Sequence, residues 1–271
     1  MPELPEVETT RLGIQSHIVG RKVKRVCVRN GKLRWPVPDS LARELPTRHI
    51  DGIERRGKYL LVFAGDSCLL IHLGMSGSLR ITTQNDPILK HDHIDIEFEH
   101  GPILRYSDPR RFGCMLWFKE PPLLHPLLKQ LGPEPLTEHF SGRALHALSR
   151  GRRVPIKTFI MDSHVVVGVG NIYANEALFM AGIKPHRAAG TVSTARYEKL
   201  VTCIKEILRR AITQGGTTLR DFVGGDGKPG YFKQSLLVYG RAGAPCLSCG
   251  KPLTEIRLAQ RSSVYCKHCQ K

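Results

Sequence analysis

The pattern of apolar and polar residues changes about half-way along the chain. In the first half, short apolar segments are separated by turns rich in glycine, proline and aspartate, which is typical of a β-sandwich or barrel. These segments are residues 22–28, 59–63, 68–73, 94–99, 103–106 and 114–118. A helix should precede them, because apolar residues keep close to helical spacing at Leu4, Val7, Ile14 and Ile18. The strict alternation over residues 94–99 predicts a strand with one face in solvent.

The second half is predicted to be helical. Apolar residues recur at helical spacing over residues 142–148, 171–181 and 194–214, and Gly215 and Gly216 should end the last of these helices. Leucine, glycine and proline at 131–135 mark the connection between the halves. We therefore divide the chain into a first domain at 1–131, a linker at 132–140, a helical domain at 141–235 and a C-terminal module at 236–271.

The composition indicates a polyanionic partner. The chain has 271 residues, and 41 Lys and Arg against 24 Asp and Glu give a net charge of +17. Such an excess favours nucleic acid, because contacts with phosphates release condensed counterions, although a basic protein without such a partner is an alternative. No basic amphipathic helix stands out, which argues against a membrane surface. No apolar run reaches the roughly 20 residues that span a bilayer and no signal pattern is visible, so we expect an intracellular protein.

The eight cysteines fall into two groups. Four are scattered through apolar segments and are expected to be buried thiols: Cys27, Cys68, Cys114 and Cys203. The other four form two Cys-x2-Cys pairs with sixteen residues between them: Cys246, Cys249, Cys266 and Cys269. Four thiolates complete a tetrahedral Zn²⁺ site and leave no open position, which predicts one structural zinc ion. Disulfides and an iron site are the less favoured alternatives, and the residues between the pairs are expected to form a short hairpin.

The N-terminus can supply a nucleophile. Removal of Met1 is usual before a small residue and would leave Pro2 with a free secondary amine. An α-amine titrates at about 8, so far more of it is neutral near pH 7 than of a lysine, and its Schiff base is a cationic iminium. A helix beginning near Pro5 would lower the pKa of this amine further, and Glu3 can transfer protons. On these residues alone, an unreactive terminus is the alternative.

Seven motifs, in this order along the chain, resemble those of the formamidopyrimidine-DNA glycosylase family. They are MPELPEVET at 1–9, RGKYL at 56–60, HLGMSG at 72–77, KHDH at 90–93, DPRRFG at 108–113, VGVGNIY at 167–173 and AQR at 259–261. With the cysteine pairs, the resemblance covers essentially the whole chain. It implies an α+β multidomain fold, with an N-terminal β-sandwich and flanking helices, then a helix-two-turns-helix domain with a four-cysteine zinc finger.

The resemblance also implies a base excision repair enzyme. Members of this family flip oxidised purines (8-oxoguanine and formamidopyrimidines) out of duplex DNA and excise them through a Schiff base on the N-terminal proline. They then nick the strand by β,δ-elimination, so we expect a bifunctional DNA glycosylase and AP lyase. The expected partner is double-stranded DNA containing oxidised purines. We further expect a monomer without membrane association, in the cytoplasm of a bacterial cell and associated with its nucleoid.

The residues that match the family's motifs take their expected roles from it. The catalytic set is Pro2 as nucleophile, Glu3 as proton donor, Lys58 as an assisting phosphate contact and Arg261 as the zinc finger's phosphate contact. The DNA-binding set comprises Met75, His91, Arg110, Phe112, Lys157, Asn171 and Tyr239. Of these, Met75, Arg110 and Phe112 would fill the space left by the flipped base. The lesion pocket would be lined by Glu6, Thr217, Thr218 and Tyr231.

Two other functions remain open at this point. An enzyme resembling endonuclease VIII would remove oxidised pyrimidines, but such enzymes typically begin Pro-Glu-Gly-Pro, whereas residues 2–5 are Pro-Glu-Leu-Pro. A zinc-finger protein without catalytic activity would also bind DNA. Loss of Pro2, Glu3 or Lys58 would have indicated it, and all three residues are present.

Overall fold

The computed structural model describes residues 2–216 and 235–271, which form two compact units. The first unit comprises the described residues up to 129 together with 214–216, and the second comprises 130–213 and 235–271. The finer division of the chain into a linker, a helical domain and a C-terminal module stays a prediction. In the described residues, no helix is both long enough and apolar enough to cross a membrane.

The first unit is a β-sandwich with helices beside it. Its elements are α1 (Leu4–Ile18), β1 (Val23–Val28), α2 (Asp39–Glu44), β2 (Gly52–Arg56), β3 (Tyr59–Ala64), β4 (Ser67–His72), β5 (Ser78–Thr82), β6 (Asp92–Phe98), β7 (Ile103–Ser107), β8 (Cys114–Phe118) and a 3₁₀ turn at Pro122–Leu124. The strands form two antiparallel sheets, ordered β1-β6-β7-β5 and β2-β3-β4-β8. Apolar residues of both sheets and of α1 share one core, among them Ile14, Leu60, Leu69, Ile94 and Leu104.

The six predicted strands and the first helix are confirmed, with strand bounds that differ by no more than two residues. The strands β2 and β5 and the helix α2 escaped prediction. Both strands lie at sheet edges and carry arginines, and they are poor in apolar residues: GIERR has only Ile53, and SLRIT has only Leu79 and Ile81. An edge strand needs fewer buried side chains, so its sequence signal is weak.

The prediction that β6 turns one face to solvent is wrong. All seven residues of β6 are buried, including Asp95 and Glu97. Arginines on β7, on β1 and directly after β1 cover these carboxylates. Arg105 Nε donates to Asp95 Oδ1 at 2.8 Å, Arg29 Nη1 donates to Asp95 Oδ2 at 2.9 Å, and Arg25 Nη2 donates to Glu97 Oε1 at 2.7 Å. Burial raises the pKa of Asp95, but the two arginines outweigh it and leave that pKa below its ordinary value.

The second unit is helical and ends in a β-hairpin. Its elements are α3 (Gly142–Ser149), α4 (Ile156–Ile160), α5 (Asn171–Ala181), a 3₁₀ turn at Ala189–Thr191, α6 (Thr194–Thr213), β9 (Thr254–Leu258) and β10 (Arg261–Tyr265). The three predicted helices and the hairpin are confirmed, whereas α4 has only five residues and is too short to show a period. Cys68, Cys114 and Cys203 are buried as predicted, but Cys27 on the edge strand β1 is only half-buried.

Candidate DNA-repair site

The N-terminus of α1 collects three residues of the predicted site. Pro2 is buried and directly precedes Glu3, the N-cap residue of α1. Glu3 and Glu6 form a capping box, in which the Glu3 N–H donates to Glu6 Oε2 at 2.9 Å. These two side chains are 2% and 1% exposed. The nitrogen of Pro2 therefore lies at the positive end of a helix, within one turn of two buried acids.

Lys58 lies in the two-residue turn between β2 and β3, the hairpin on which α1 packs. Gly57, the other turn residue, has φ +59°, which a tight hairpin turn requires at this position and which glycine adopts without strain. Lys58 is half-buried, and its charge acts on His72. The hairpin thus places the positive charge of a lysine where it acts on a partly buried histidine at the end of β4.

His72 is neutral at physiological pH. Burial, followed by the charges of Lys58 and Arg34, lowers the pKa of His72 to about 4. Its Nδ1 accepts the Gly74 N–H at 3.0 Å, so the neutral ring carries its proton on Nε2. Because a neutral imidazole still donates through Nε2–H, His72 can bind a phosphate oxygen without being protonated.

Three predicted DNA-binding residues, Met75, Arg110 and Phe112, lie side by side and are called the turn cluster below. Met75 lies in the connection between β4 and β5, and the other two lie in the connection between β7 and β8. The side chains of Met75 and Phe112 are 40% and 46% exposed, and Arg110 Cζ lies 4.6 Å from the Phe112 ring centroid. The connections touch at Gly74, where any Cβ would overlap the Phe112 backbone. The fold therefore presents two apolar side chains and one cation on a single surface.

A cavity of about 510 Å³ adjoins the turn cluster, and Arg34, which sequence reasoning missed, lies on its wall. The Arg34 N–H donates to the Gly113 carbonyl at 3.1 Å, and its guanidinium carbon lies 4.8 Å from the Trp35 ring centroid. The Arg34-Trp35 pair was the available signal, because arginine beside an aromatic residue is common on surfaces that bind nucleic acids. Among 41 basic residues, that signal was weak.

His91 lies beside the same connections. It is half-buried, its carbonyl accepts the Asp108 N–H at 3.1 Å, and its ring centroid lies 6.3 Å from that of His93. The first unit therefore brings Pro2, Glu3 and Glu6 together in one place and gathers His91 near the turn cluster in another.

In the second unit, Asn171 is the first residue of α5, after the N-cap residue Gly170. Gly168, two residues earlier, has φ +82°, and the first turn of α5 contains no acidic residue. The Asn171 side-chain oxygen is buried and accepts no hydrogen bond from the described residues. A helix start with glycines and without carboxylates suits an anion.

The tip of the β9–β10 hairpin presents Arg261. Ala259 and Gln260 form the two-residue turn with φ of +46° and +62°, a left-handed conformation that costs free energy in residues other than glycine. Arg261 itself is exposed. A strained turn beside an exposed arginine is typical of a functional position.

Lys157 is buried, with 1% of its surface exposed. Its Nζ donates to the Ser262 carbonyl at 2.6 Å and to Ser263 Oγ at 2.7 Å. The ammonium group therefore contacts the two residues that follow Arg261 in β10. Lys157 supports the hairpin in this structure.

Glu176, another residue that sequence reasoning missed, holds the segment that contains Tyr239. The Glu176 carboxylate is fully buried and accepts the N–H groups of Leu237, Val238 and Tyr239 at 2.7, 2.9 and 2.8 Å. Burial raises the pKa of Glu176, and the three backbone donors offset this only in part. A glutamate as the one charged residue of helix α5 was the signal, because a buried carboxylate needs several donors.

The four cysteines of the C-terminal module lie within reach of one ion. Their sulfur atoms all lie within 4.8 Å of one another, with Cys246 Sγ 3.9 Å from Cys269 Sγ and Cys249 Sγ 3.5 Å from Cys266 Sγ. Sulfurs at the corners of a tetrahedron around Zn²⁺ are separated by about 3.8 Å. The donor set thus fits a tetrahedral, thiolate-binding metal.

Three predicted lesion-pocket residues, Thr217, Thr218 and Tyr231, lie outside the described residues. The fourth, Glu6, lies against Gly216, the residue before Thr217: a Cβ on Gly216 would come within 3.1 Å of Glu6 Oε1. Gly216 has φ +78°, a backbone conformation that glycine adopts without strain, and its lack of a side chain leaves room for Glu6 Oε1.

Comparisons with known proteins show the family to which this chain is related. Residues 1–115 match the formamidopyrimidine-DNA glycosylase N-terminal domain, residues 131–223 match the H2TH domain of the same proteins, and residues 243–271 match a zinc finger found in FPG and IleRS. The formamidopyrimidine-DNA glycosylase of Stutzerimonas stutzeri is 62% identical over 271 residues, and that of Pseudomonas putida is 60% identical, each covering 100% of both chains. The chain belongs to the formamidopyrimidine-DNA glycosylase family.

Solved structures of this family have the same fold. A Lactococcus lactis FPG mutant in complex with DNA containing Fapy-dG has a TM-score of 0.93 and 34% identity, covering 100% of both chains. MutM in complex with DNA containing carbocyclic 8-oxo-G has a TM-score of 0.91 and 35% identity, again covering 100% of both chains. The predicted fold class is therefore confirmed, and the four-cysteine module is the family's zinc finger.

Proposed function

We propose that this glycosylase excises oxidised purines from duplex DNA with Pro2 as its nucleophile and then nicks the strand. The observation that carries the proposal is the placement of Pro2 at the start of α1, beside buried Glu3 and Glu6. The complexes of relatives with DNA containing Fapy-dG and 8-oxo-G favour oxidised purines over oxidised pyrimidines. An inert zinc-finger protein would have no need of two buried acids at this terminus, since burial of carboxylates costs free energy.

The chemistry follows from the amine. After Met1 is removed, the lone pair of the Pro2 nitrogen attacks C1′, the damaged base leaves with the electrons of the glycosidic bond, and the proton that the Pro2 nitrogen loses neutralises the departing base. Glu3 donates a proton to the sugar ring oxygen, the ring opens, and a cationic iminium forms between Pro2 and C1′. The iminium acidifies the C2′ proton, so its removal expels the 3′ phosphate. A second elimination expels the 5′ phosphate, and Lys58 assists as a phosphate contact.

The turn cluster would make C1′ accessible. A base inside a duplex shields C1′, so the nucleotide has to be flipped out and the space it leaves has to be filled. Met75 would act as a flexible apolar wedge, Arg110 as a hydrogen-bond donor to the unpaired base, and Phe112 as a stacking surface. Their exposure, 40% for Met75 and 46% for Phe112, supports this role, because an apolar side chain in solvent is available for insertion.

The remaining predicted residues would bind the DNA backbone and the lesion. Arg261, Asn171, Tyr239 and His91 are proposed phosphate contacts. Lys157 would support this contact through the hairpin, since its ammonium contacts Ser262 and Ser263. Glu6 is proposed to line the lesion pocket together with Thr217, Thr218 and Tyr231, because Gly216 lies against Glu6.

The metal is proposed to be one structural Zn²⁺. Cys246, Cys249, Cys266 and Cys269 would occupy all four positions, so the ion would stabilise the fold of the finger and take no part in the reaction. A monomer in the bacterial cytoplasm, associated with the nucleoid, is consistent with a net charge of +17.

Covalent trapping tests the proposed function. Borohydride reduces an iminium to a stable amine, so the native chain should become cross-linked to a duplex that contains 8-oxoguanine. A matched protein that keeps an N-terminal tag should not cross-link, because the Pro2 nitrogen is then an amide, and removal of the tag should restore the product. A duplex with an oxidised pyrimidine serves as the comparison. Failure of the untagged, zinc-loaded protein to cross-link to the 8-oxoguanine duplex would exclude this function.

A further inference from the structure

Asp108 is completely buried where the two connections that carry the turn cluster meet. Its carboxylate accepts four hydrogen bonds. Oδ1 accepts the Ser76 hydroxyl at 2.7 Å and the Arg110 N–H at 3.2 Å. Oδ2 accepts the Gly113 N–H at 2.9 Å and the Tyr106 hydroxyl at 3.0 Å. One side chain thus collects donors from both connections and from β7.

Ser76 links the two connections directly. Its hydroxyl donates to Asp108 and at the same time accepts the Arg110 N–H at 3.1 Å. Ser76 is 5% exposed and follows Met75 in the chain, whereas Met75 itself is 40% exposed. A buried hydroxyl therefore fixes the backbone on which the exposed side chain is mounted.

All four groups that donate to Asp108 are neutral. The Tyr106 hydroxyl stays protonated and therefore remains a donor. Burial raises the pKa of Tyr106 most, and the charge of Asp108 and their hydrogen bond raise it further. A carboxylate satisfied by hydroxyls and backbone N–H groups has fixed geometry, because each donor occupies one of its lone-pair directions. The backbone of Asp108 extends the network, since its N–H donates to the His91 carbonyl and its carbonyl contacts His93 Nε2 at 2.8 Å.

From this network we infer that Asp108 is a positioning residue for base extrusion. It holds Met75, Arg110 and Phe112 in one arrangement before DNA arrives, without touching DNA itself. The inference rests on the proposed function, because it assigns Asp108 to the step that exposes C1′. A mobile wedge would have to be ordered upon insertion, and that entropic cost would slow extrusion. The chemistry at Pro2 does not depend on this network once the sugar is accessible.

Two substitutions separate extrusion from chemistry. Asp108→Asn keeps the shape of the side chain but turns one acceptor into a donor that faces other donors. Ser76→Ala removes the bridging hydroxyl, and Ser76→Thr keeps it. Release of 8-oxoguanine from duplex DNA in a single turnover should fall roughly 10- to 100-fold in Asp108→Asn, as expected for a small misplacement of positioning groups. It should fall less in Ser76→Ala and stay near the native rate in Ser76→Thr.

The second measurement uses an abasic site in single-stranded DNA, which has no base to extrude and no partner strand. Borohydride trapping on this substrate should stay within about twofold of native in every variant, since C1′ is already accessible. A 2-aminopurine placed beside the lesion in duplex DNA should show a slower rise in fluorescence in Asp108→Asn, because unstacking is the step affected. The control is Ser149→Ala, which removes another fully buried hydroxyl, one bonded to the His146 carbonyl.

The outcomes distinguish this inference from the proposed function. Native rates of excision in both Asp108→Asn and Ser76→Ala would overturn the inference, as would equal losses on the duplex and on the single-stranded abasic site. Failure of the native chain to trap either substrate would instead contradict the proposed function. If Asp108→Asn does not fold, the Ser76→Ala and Ser76→Thr pair decides: equal rates for the two would overturn the inference.

Discussion

The turn cluster and the β9–β10 hairpin both expose side chains proposed to contact DNA, but they are supported in different ways. In the first unit, the carboxylate of Asp108 lies among neutral donors within a large sandwich core. In the second, the ammonium of Lys157 donates to the backbone of a hairpin whose module also contains the four clustered cysteines. The supporting side chain is thus an anion that accepts hydrogen bonds in the first unit and a cation that donates them in the second.

The difference follows from how much apolar core each region has. Both sheets and α1 contribute to the core beneath the turn cluster, so one buried side chain is enough to fix the connections above it. The hairpin rests on a few buried residues, among them Phe179, Val238, Leu253 and Val264. A segment this small cannot offset its conformational entropy by burial alone, so it depends on a metal and on buried polar contacts. Removal of the metal or of a buried polar contact should therefore affect the hairpin more than the first unit.

Metal removal should have the largest effect. With a strong chelator, the hairpin should lose its fold, and both DNA binding and strand cleavage should fall by at least about 100-fold, because the binding energy of a structural Zn²⁺ is folding energy. The strands of the first unit should persist. Circular dichroism and trapping before and after chelation, followed by addition of Zn²⁺, measure this. Cys27→Ser, which changes a thiol on β1 outside the cluster, is the control.

Full activity in the chelated protein would contradict the proposed structural role of the metal. Loss of the sandwich strands together with the hairpin would mean that the first unit also depends on the metal. That result would contradict the proposed difference between a first unit stabilised by its apolar core and a hairpin stabilised by its metal.

The substitution Lys157→Met should have an intermediate effect. It leaves the Ser262 carbonyl and Ser263 Oγ without their donor, which should lower the free energy of unfolding by about 1–3 kcal/mol. DNA affinity should fall about tenfold if the loss is conveyed through Arg261, since 1.4 kcal/mol corresponds to a factor of ten. Thermal unfolding and fluorescence anisotropy measure the two quantities, and Lys199→Met, at an exposed lysine of α6, is the control.

A double-mutant cycle shows whether Lys157 acts through Arg261. In an Arg261→Ala background, Lys157→Met should weaken binding far less than in the native chain, because residues that share one contact are not additive. Additive losses would mean that Lys157 contacts the phosphates itself, as the family resemblance had suggested.

The buried polar side chains that support these surfaces could not be predicted from the sequence as readily as the helices and strands could. Helices and central strands follow from local periodicity, and the zinc site follows from the spacing of Cys246, Cys249, Cys266 and Cys269. The burial of Asp95 could not be predicted in this way, because its partners Arg29 and Arg105 are 66 and 10 residues away in sequence. A motif such as DPRRFG indicates a turn, but not that its aspartate is buried.

The same reasoning applies to Lys157. The resemblance placed it among the DNA contacts, whereas its bonds to Ser262 and Ser263 span 105 and 106 residues of sequence. Pairing over such distances depends on the tertiary fold, and a single sequence carries no signal for it. Glu176 is the exception, because a carboxylate that is the one charged group of a mostly buried helix needs hydrogen-bond donors, whatever part of the chain supplies them.

The smallest expected effect is a loss of stability of the first unit as the pH falls. The pKa of His72 is about 4 in the folded state, against an ordinary value of 6.5, so the unfolded chain takes up its proton first as the pH falls. The stability of the first unit should therefore decrease between about pH 6.5 and pH 4, by roughly 1 kcal/mol at pH 5.5 relative to neutral pH. His72→Gln should remove this part of the pH dependence, whereas His17→Gln, at an exposed position of α1, should leave it unchanged. Urea unfolding from pH 7.5 to 5 measures the slope. Equal slopes for the native chain and His72→Gln would mean that burial and the charges of Lys58 and Arg34 do not hold this ring neutral.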